Sequence, residues 1–165
     1  MRVPRPAAMA LGAVACGLAC LAVACPAAAE PVPGWSFMTW SAAPAVVVAG
    51  AEAAGFKPMP VSADDADMFG LPESTVPFSL RVNIYGQAAQ VYPIFLNDAL
   101  DAVRFVVADP AVCRTVLDGL TADFGPGKKD ERGFSNINWP TTERFGLTVV
   151  VTEYQCWPLF SKPGV

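Results

Sequence analysis

Between Phe78 and Ile84 apolar and polar residues alternate: Phe78, Leu80, Val82 and Ile84 fall on one side, Ser79, Arg81 and Asn83 on the other, with Tyr85 continuing the polar series. A period of two is that of a strand with one face buried. Gly86-Gln87 predicts a turn into a second strand over 91–96, where Pro93 implies an edge or a bulge, and Asn97-Asp98 turns the chain into a third over 100–107. In the third, Val103, Phe105 and Val107 oppose Ala102, Arg104 and Val106. In a simple meander register, Arg104 then shares the solvent side with Arg81 and Tyr85.

The period changes after Val107. Asp109 is a good N-cap and Pro110 suits a first helical position, while Gly125-Pro126 closes the segment. Between them Val112, Val116, Leu120 and Phe124 recur every fourth residue with Cys113 and Leu117 beside them, and Arg114, Asp118 and Asp123 point elsewhere. Gly119 costs this helix about 1 kcal/mol relative to alanine, so its stability has to come from packing.

An earlier helix is predicted over 42–54, with Ser41 as N-cap, Pro44 in the first turn and Gly55 as the stop. A strand over 45–49 is the competing reading, because Val46, Val47 and Val48 are indifferent helix formers. Residues 57–61 predict a short edge strand limited by Pro58 and Pro60. The acidic stretch 62–77 reads as a solvated loop, since Asp65 and Asp67 lack the further spaced ligands of a calcium loop.

Residues 128–133 read as a mixed-charge connection, 134–139 as a strand, and 145–154 as a strong strand with Phe145, Leu147, Val149 and Val151 on one face. A last strand runs over 156–160, with Pro158 marking it as an edge. Strands grouped around helices rather than alternating with them predict an α+β fold: a mainly antiparallel sheet of about five to six strands with two helices packed on one face.

Residues 1–29 have a different character. Arg2 and Arg5 precede a long uncharged apolar run ending in Ala27-Ala28-Ala29 before Glu30, the layout of a secretory signal peptide cleaved after Ala29. The domain is then 30–165. The rivals are an uncleaved anchor, since 7–29 is about long enough to span a bilayer, and lipid attachment at Cys16, Cys20 or Cys25. Cys25 and Cys20 lack a large aliphatic residue three positions before them, where Ala22 and Gly17 stand. The expected compartment is therefore periplasmic or secreted, with an envelope lipoprotein as the alternative and membrane contact confined to export or to an anchor at Cys25.

Export changes the chemistry that remains. Of five cysteines only Cys113 and Cys156 stay, an even pair in an oxidising compartment, read as one disulfide. The chain carries a net charge of −4, which loss of Arg2 and Arg5 makes more negative, and has no basic stripe, so nucleic acid is not an expected partner. It has no histidine, which removes the usual base for serine or cysteine nucleophiles and a common metal ligand. Lys57 with Ser62, and Glu143 with Glu153, are the residual catalytic pairs, and they read better as surface charges. No glycine-rich phosphate loop precedes a helix, since 124–127 follows one. No catalytic residue, metal or cofactor is assigned, and the protein is not expected to be an enzyme.

Four tryptophans, Trp35, Trp40, Trp139 and Trp157, suit either core packing or a contact patch. The candidate patch is Arg81, Tyr85 and Arg104 with Trp139 at its margin, residue types suited to proteins, glycans or anionic small molecules.

A Trp40-Ser41 helix opening, a meander, a helix carrying Cys113 and ending at Phe124-Gly125-Pro126, then strands with Cys156, resembles small secreted bacterial proteins and is similar in layout to two-layer modules of the β-lactamase-inhibitor and outer-membrane-assembly-lipoprotein kinds. The resemblance implies binding of other proteins rather than catalysis, and it assigns no functional residue. The expectation is an exported interaction or ligand-binding module whose partner is an envelope protein or small ligand. An envelope lipoprotein involved in assembly and a carboxylate-based enzyme are the alternatives.

Overall fold

The computed structural model describes residues 31–67, 75–107, 109–130, 136–152 and 155–164, so the expected signal segment 1–29 lies outside the described residues. The chain begins with a two-stranded antiparallel ribbon, β1 (Pro31–Val32) and β2 (Trp35–Thr39). Helix α1 (Pro44–Ala53), β3 (Met59–Pro60) and the short helix α2 (Ala63–Asp67) follow. A meander comes next: β4 (Phe78–Ile84), β5 (Gln87–Leu96) and β6 (Ala99–Val106). Helix α3 (Pro110–Phe124) then leads to β7 (Lys128–Lys129), β8 (Asn136–Trp139), β9 (Gly146–Val151) and β10 (Cys156–Ser161).

The fold is α+β with an antiparallel main sheet, but larger than expected: among the described residues it has eight strands in the order β3-β4-β5-β6-β10-β9-β8-β7, with three helices. The element order is used twice. A helix and four strands (α1, β3 to β6) are followed by a helix and four strands (α3, β7 to β10), with α2 inserted in the first set. The two meanders run inward from opposite edges and meet at β6 and β10, which pair antiparallel.

Helices α1 and α3 share one face. Val47 and Ala51 of α1 and Cys113, Val116 and Leu120 of α3 join Leu80, Val91, Phe105, Val149 and Phe160 in the main core. The ribbon closes one end of this layer, with Trp35 packed 5.8 Å, ring centroid to ring centroid, from each of Phe37, Phe56 and Phe105. Helix α3 keeps its expected punctuation: the Asp109 carboxylate accepts the Ala111 N–H at 2.8 Å and the helix stops at Gly125. Helix α1 starts two residues later than expected, after Ala43 and without a side-chain cap, because Ser41 is in a left-handed turn (φ 66°) and donates its backbone N–H to Leu100 instead.

Three further expectations are corrected. The strand with Pro158 is not an edge: β10 lies at the centre, between β6 and β9. Proline is tolerated there because the ladder is interrupted. Cys156 exchanges two backbone hydrogen bonds with Val107, and regular pairing with β6 resumes at Leu159 opposite Arg104, so the N–H that Pro158 lacks falls in the gap. Pro93, expected at an edge or a bulge, takes the second setting: it stands in an interior strand beyond the last β4 partner at Val91 and next to a bulge at Ile94/Phe95. The start of the 128–133 connection is not loop but β7, a two-residue lysine edge paired with β8. The acidic stretch 62–77 contains α2, whose Ala66 packs with Val61, Val76, Tyr92, Ile94 and Ala102 in a second, smaller core on the other side of the sheet.

Candidate functional site

The outward side of the sheet follows from register, since cross-strand partners share a face. One row runs Lys128, Asn138, Thr148, Leu159, Arg104, Tyr92 across β7, β8, β9, β10, β6 and β5. Beside it Arg81 pairs with Gln90 and Gln90 with Val106, while Trp157 pairs with Val150 and Val150 with Asn136. Alternation along β6 and β10 places Val106 next to Trp157.

Among the described residues, helix α2 and its flanks cover the end of this side that carries Tyr92, Ile94 and Ala102, with Val106 and Leu159 packed against that small core. Trp157 and Val150 belong to neither core. An antiparallel sheet with one solvated face normally alternates apolar inward with polar outward. Here the outward positions of the central strands include the apolar Val106, Trp157, Val150 and Leu159, each half-buried, beside Arg104 and Thr148.

The Arg104 guanidinium stands 5.8 Å from the Trp157 ring centroid. It lies over an electron-rich face that tolerates a weakly hydrated planar cation. Burial lowers the proton affinity of Arg104 from its ordinary value, yet a guanidinium keeps its charge. The indole N–H of Trp157 is buried and has no hydrogen-bond acceptor among the described residues. Polar neighbours on this side are paired: Gln90 Nε2 donates to Ser79 Oγ at 2.9 Å and Thr148 Oγ1 to Asn138 Oδ1 at 2.9 Å.

Of the four residues expected to form the patch, Arg81 and Arg104 are on this side and Tyr85 and Trp139 are not. Tyr85 occupies the turn itself, which is Tyr85-Gly86 rather than Gly86-Gln87, with φ of 50° and 79°. A residue in the turn does not obey the strand's alternation. Its ring swings to the helix side and lies on α3 at Gly119, and its hydroxyl donates to Asp123 Oδ2 at 2.6 Å. Burial and the Asp123 carboxylate both push the Tyr85 phenol well above its ordinary pKa. Trp139 is core: it is 6% exposed, its indole N–H donates to the Gly125 carbonyl at 2.7 Å, and it packs on Gly127. Trp40 is also buried, donating to the Arg144 carbonyl at 3.0 Å. Trp157, which the expected patch left out, is the tryptophan of the outward face. Its strand parity opposite Val150 was the signal, hidden by the reading of Pro158 as an edge.

Cys113 of α3 and Cys156 of β10 are neighbouring buried free thiols, and burial raises the pKa of both. Among the described residues, no three His, Cys, Asp or Glu side chains gather where they could hold a metal ion, and no helix is long and apolar enough to cross a membrane. Glu153 of the Glu143/Glu153 pair lies outside the described residues. Comparison with family models, curated proteins and solved structures finds no match to this chain.

Proposed function

We propose that the protein is an exported, non-catalytic interaction module that holds an acidic partner protein against the outward face of its central strands. The observation that carries this reading is the band formed by Val106, Trp157, Val150 and Leu159, with Arg104 over the indole. Arg81 and Lys128 stand at its two ends, both exposed. Among the described residues, the paired positions of β4 to β10 on this face carry no Asp or Glu, although the chain as a whole carries −4. Among the described residues, acidic side chains border it at the α2 end, through Asp65 near Tyr92, and at the β7 edge, where the Asp130 backbone N–H bonds to the Asn136 carbonyl. An aromatic and Arg centre with a polar rim is the composition of an interface, and a positive face on an acidic protein selects a partner of opposite sign.

The reading of export rests on the composition of 1–29, and the reading as a binder rather than an enzyme rests on the absence of histidine and of any catalytic motif from the sequence. The test is photo-crosslinking in cells, with a photoreactive residue at Val150 or Thr148 and, as control, at Thr115 on the exposed side of α3. The expected result is an adduct from the sheet positions alone, lost in Arg104→Glu, whose crosslinked peptide is acidic. Equal crosslinking from both faces, or adducts indifferent to Arg104→Glu, would sink the proposal.

A further inference from the structure

A cavity opens on the opposite side of the sheet, away from the outward face. We infer that the cavity between the β1–β2 turn, the β4–β5 turn and the last turn of α3 takes a small organic cation of the alkylammonium class.

The cavity has a volume of about 220 Å³. That is below the roughly 300–1,000 Å³ of sites for drug-sized molecules, and suits a headgroup or a small amine. Four aromatic residues from four different elements line it: Trp35 of β2, Tyr85 of the turn, Phe124 of α3 and Phe160 of β10. Among the described residues, Asp123 is its one charged lining residue, and no Lys or Arg lines it. Aromatic faces carry a negative quadrupole, so a ring-lined pocket with a carboxylate attracts a desolvated cation, repels an anion, and gains little from a neutral molecule that leaves the carboxylate unpaired.

The carboxylate is held in place without being used up. Tyr85 Oη donates to Asp123 Oδ2 at 2.6 Å, and an ionised carboxylate has about four acceptor sites, so one hydrogen bond leaves room for an ammonium or for the methyl groups around one. Two local sacrifices keep Tyr85 there. Its φ of 50° sits at a turn position that favours Asn or Asp and strains a bulky aromatic. Under its ring, Gly119 replaces a better helix former, because a Cβ at 119 would collide with three ring carbons. Asparagine at 85 with alanine at 119 would satisfy both turn and helix. Strain of this kind concentrates where a side chain is needed for binding.

The test is isothermal titration calorimetry on the purified protein with choline, against its neutral isostere 3,3-dimethylbutan-1-ol, at fixed ionic strength. The expected result is saturable choline binding with the isostere weaker by about tenfold or more. Asp123→Asn, which keeps an acceptor for Tyr85, should weaken choline by a similar factor while leaving the thermal midpoint nearly unchanged. Tyr85→Phe, which keeps the ring, should stay within about threefold of the parent. Absence of saturable heat up to about 50 mM choline, or equal binding of cation and isostere, overturns the assignment. The isostere comparison needs no variant, so it decides the matter even where Asp123→Asn folds poorly.

Discussion

The ring of Tyr85 lies directly on the bare Cα of Gly119, the residue of α3 that helix propensity alone would replace first. An alanine there gains about 1 kcal/mol of intrinsic helix stability. Its Cβ, however, would overlap Cγ, Cδ1 and Cε1 of Tyr85, atoms at the root and side of the ring rather than at a flexible tip. Because Tyr85 Oη is tied to Asp123, the ring cannot simply swing away.

Gly119→Ala should therefore destabilise the protein by about 1–3 kcal/mol, the usual cost of overpacking. Urea unfolding measures it. A raised midpoint would mean that the ring moves freely and that the Tyr85–Gly119 contact does not constrain the turn.

The same contact makes a prediction about alkaline pH. Burial and Asp123 raise the Tyr85 phenol above its ordinary value, so in the folded state it stays protonated while the unfolded chain ionises near pH 10. The unfolded state then binds fewer protons than the native one, so stability is fully present below about pH 10 and falls as pH rises beyond it. Tyr92, raised chiefly by burial and also by Asp65, acts in the same direction. Tyr85→Phe should flatten the loss between about pH 10 and 11.5, with the Tyr92 and thiol contributions cancelling in the comparison with the parent. Parallel stability curves for the two proteins would contradict this.

Trp139 and Trp157 should respond unequally to loss of the indole N–H. Trp139 donates to Gly125 at the end of α3, and removing that donor leaves a carbonyl without its partner. Trp157 buries its N–H with no acceptor among the described residues, a cost already present in the native state. Trp139→Phe should cost about 2–4 kcal/mol, from lost packing and hydrogen bonding together, whereas Trp157→Phe should lie within about 1 kcal/mol of the parent. Thermal or urea unfolding of the two variants side by side supplies the comparison. Equal losses would imply that Trp157 has a partner of its own.

Where a residue's environment is set by its near neighbours, the fold could be read from the chain. Asp109 and Gly125 mark the ends of α3 because capping is local, and the alternation from Phe78 to Ile84 names the buried face of β4 because a strand's period is exact. What was not legible depended on distant pairing. Nothing near Pro158 says that its missing N–H falls into a gap opposite β6, so a central strand read as an edge. Lys128-Lys129 is too short to show a period, and becomes β7 only because β8 lies beside it. The site suffered most from one residue of turn register: with Gly86-Gln87 as the turn, Tyr85 belongs to the strand and faces solvent, and with Tyr85-Gly86 it belongs to the turn and faces α3. That one position took Tyr85 off the outward face, while Trp157 went unseen there because Pro158 read as an edge.

The last prediction concerns Cys113 and Cys156. They are far apart in sequence and become neighbours because α3 packs over β10, where each is buried. The proposal of an exported protein then requires them to close into a disulfide in the mature chain, stapling α3 to the central strand with a gain of about 2–4 kcal/mol over the reduced form. Alkali adds an independent check. Burial raises both thiols, so the reduced protein should lose stability as pH rises past about 9, where the unfolded chain's cysteines ionise and the native ones do not. The oxidised protein has no thiols to titrate and should show no loss from this source. Intact mass of the protein from the periplasmic fraction, alkylated with and without reductant, reads both the start of the chain and the state of the pair. A chain starting at Glu30 with both sulfurs protected until reduction is the expected result. Free thiols in the periplasmic protein would remove the staple, and a lipid adduct at Cys25 would replace the free exported module with an anchored one.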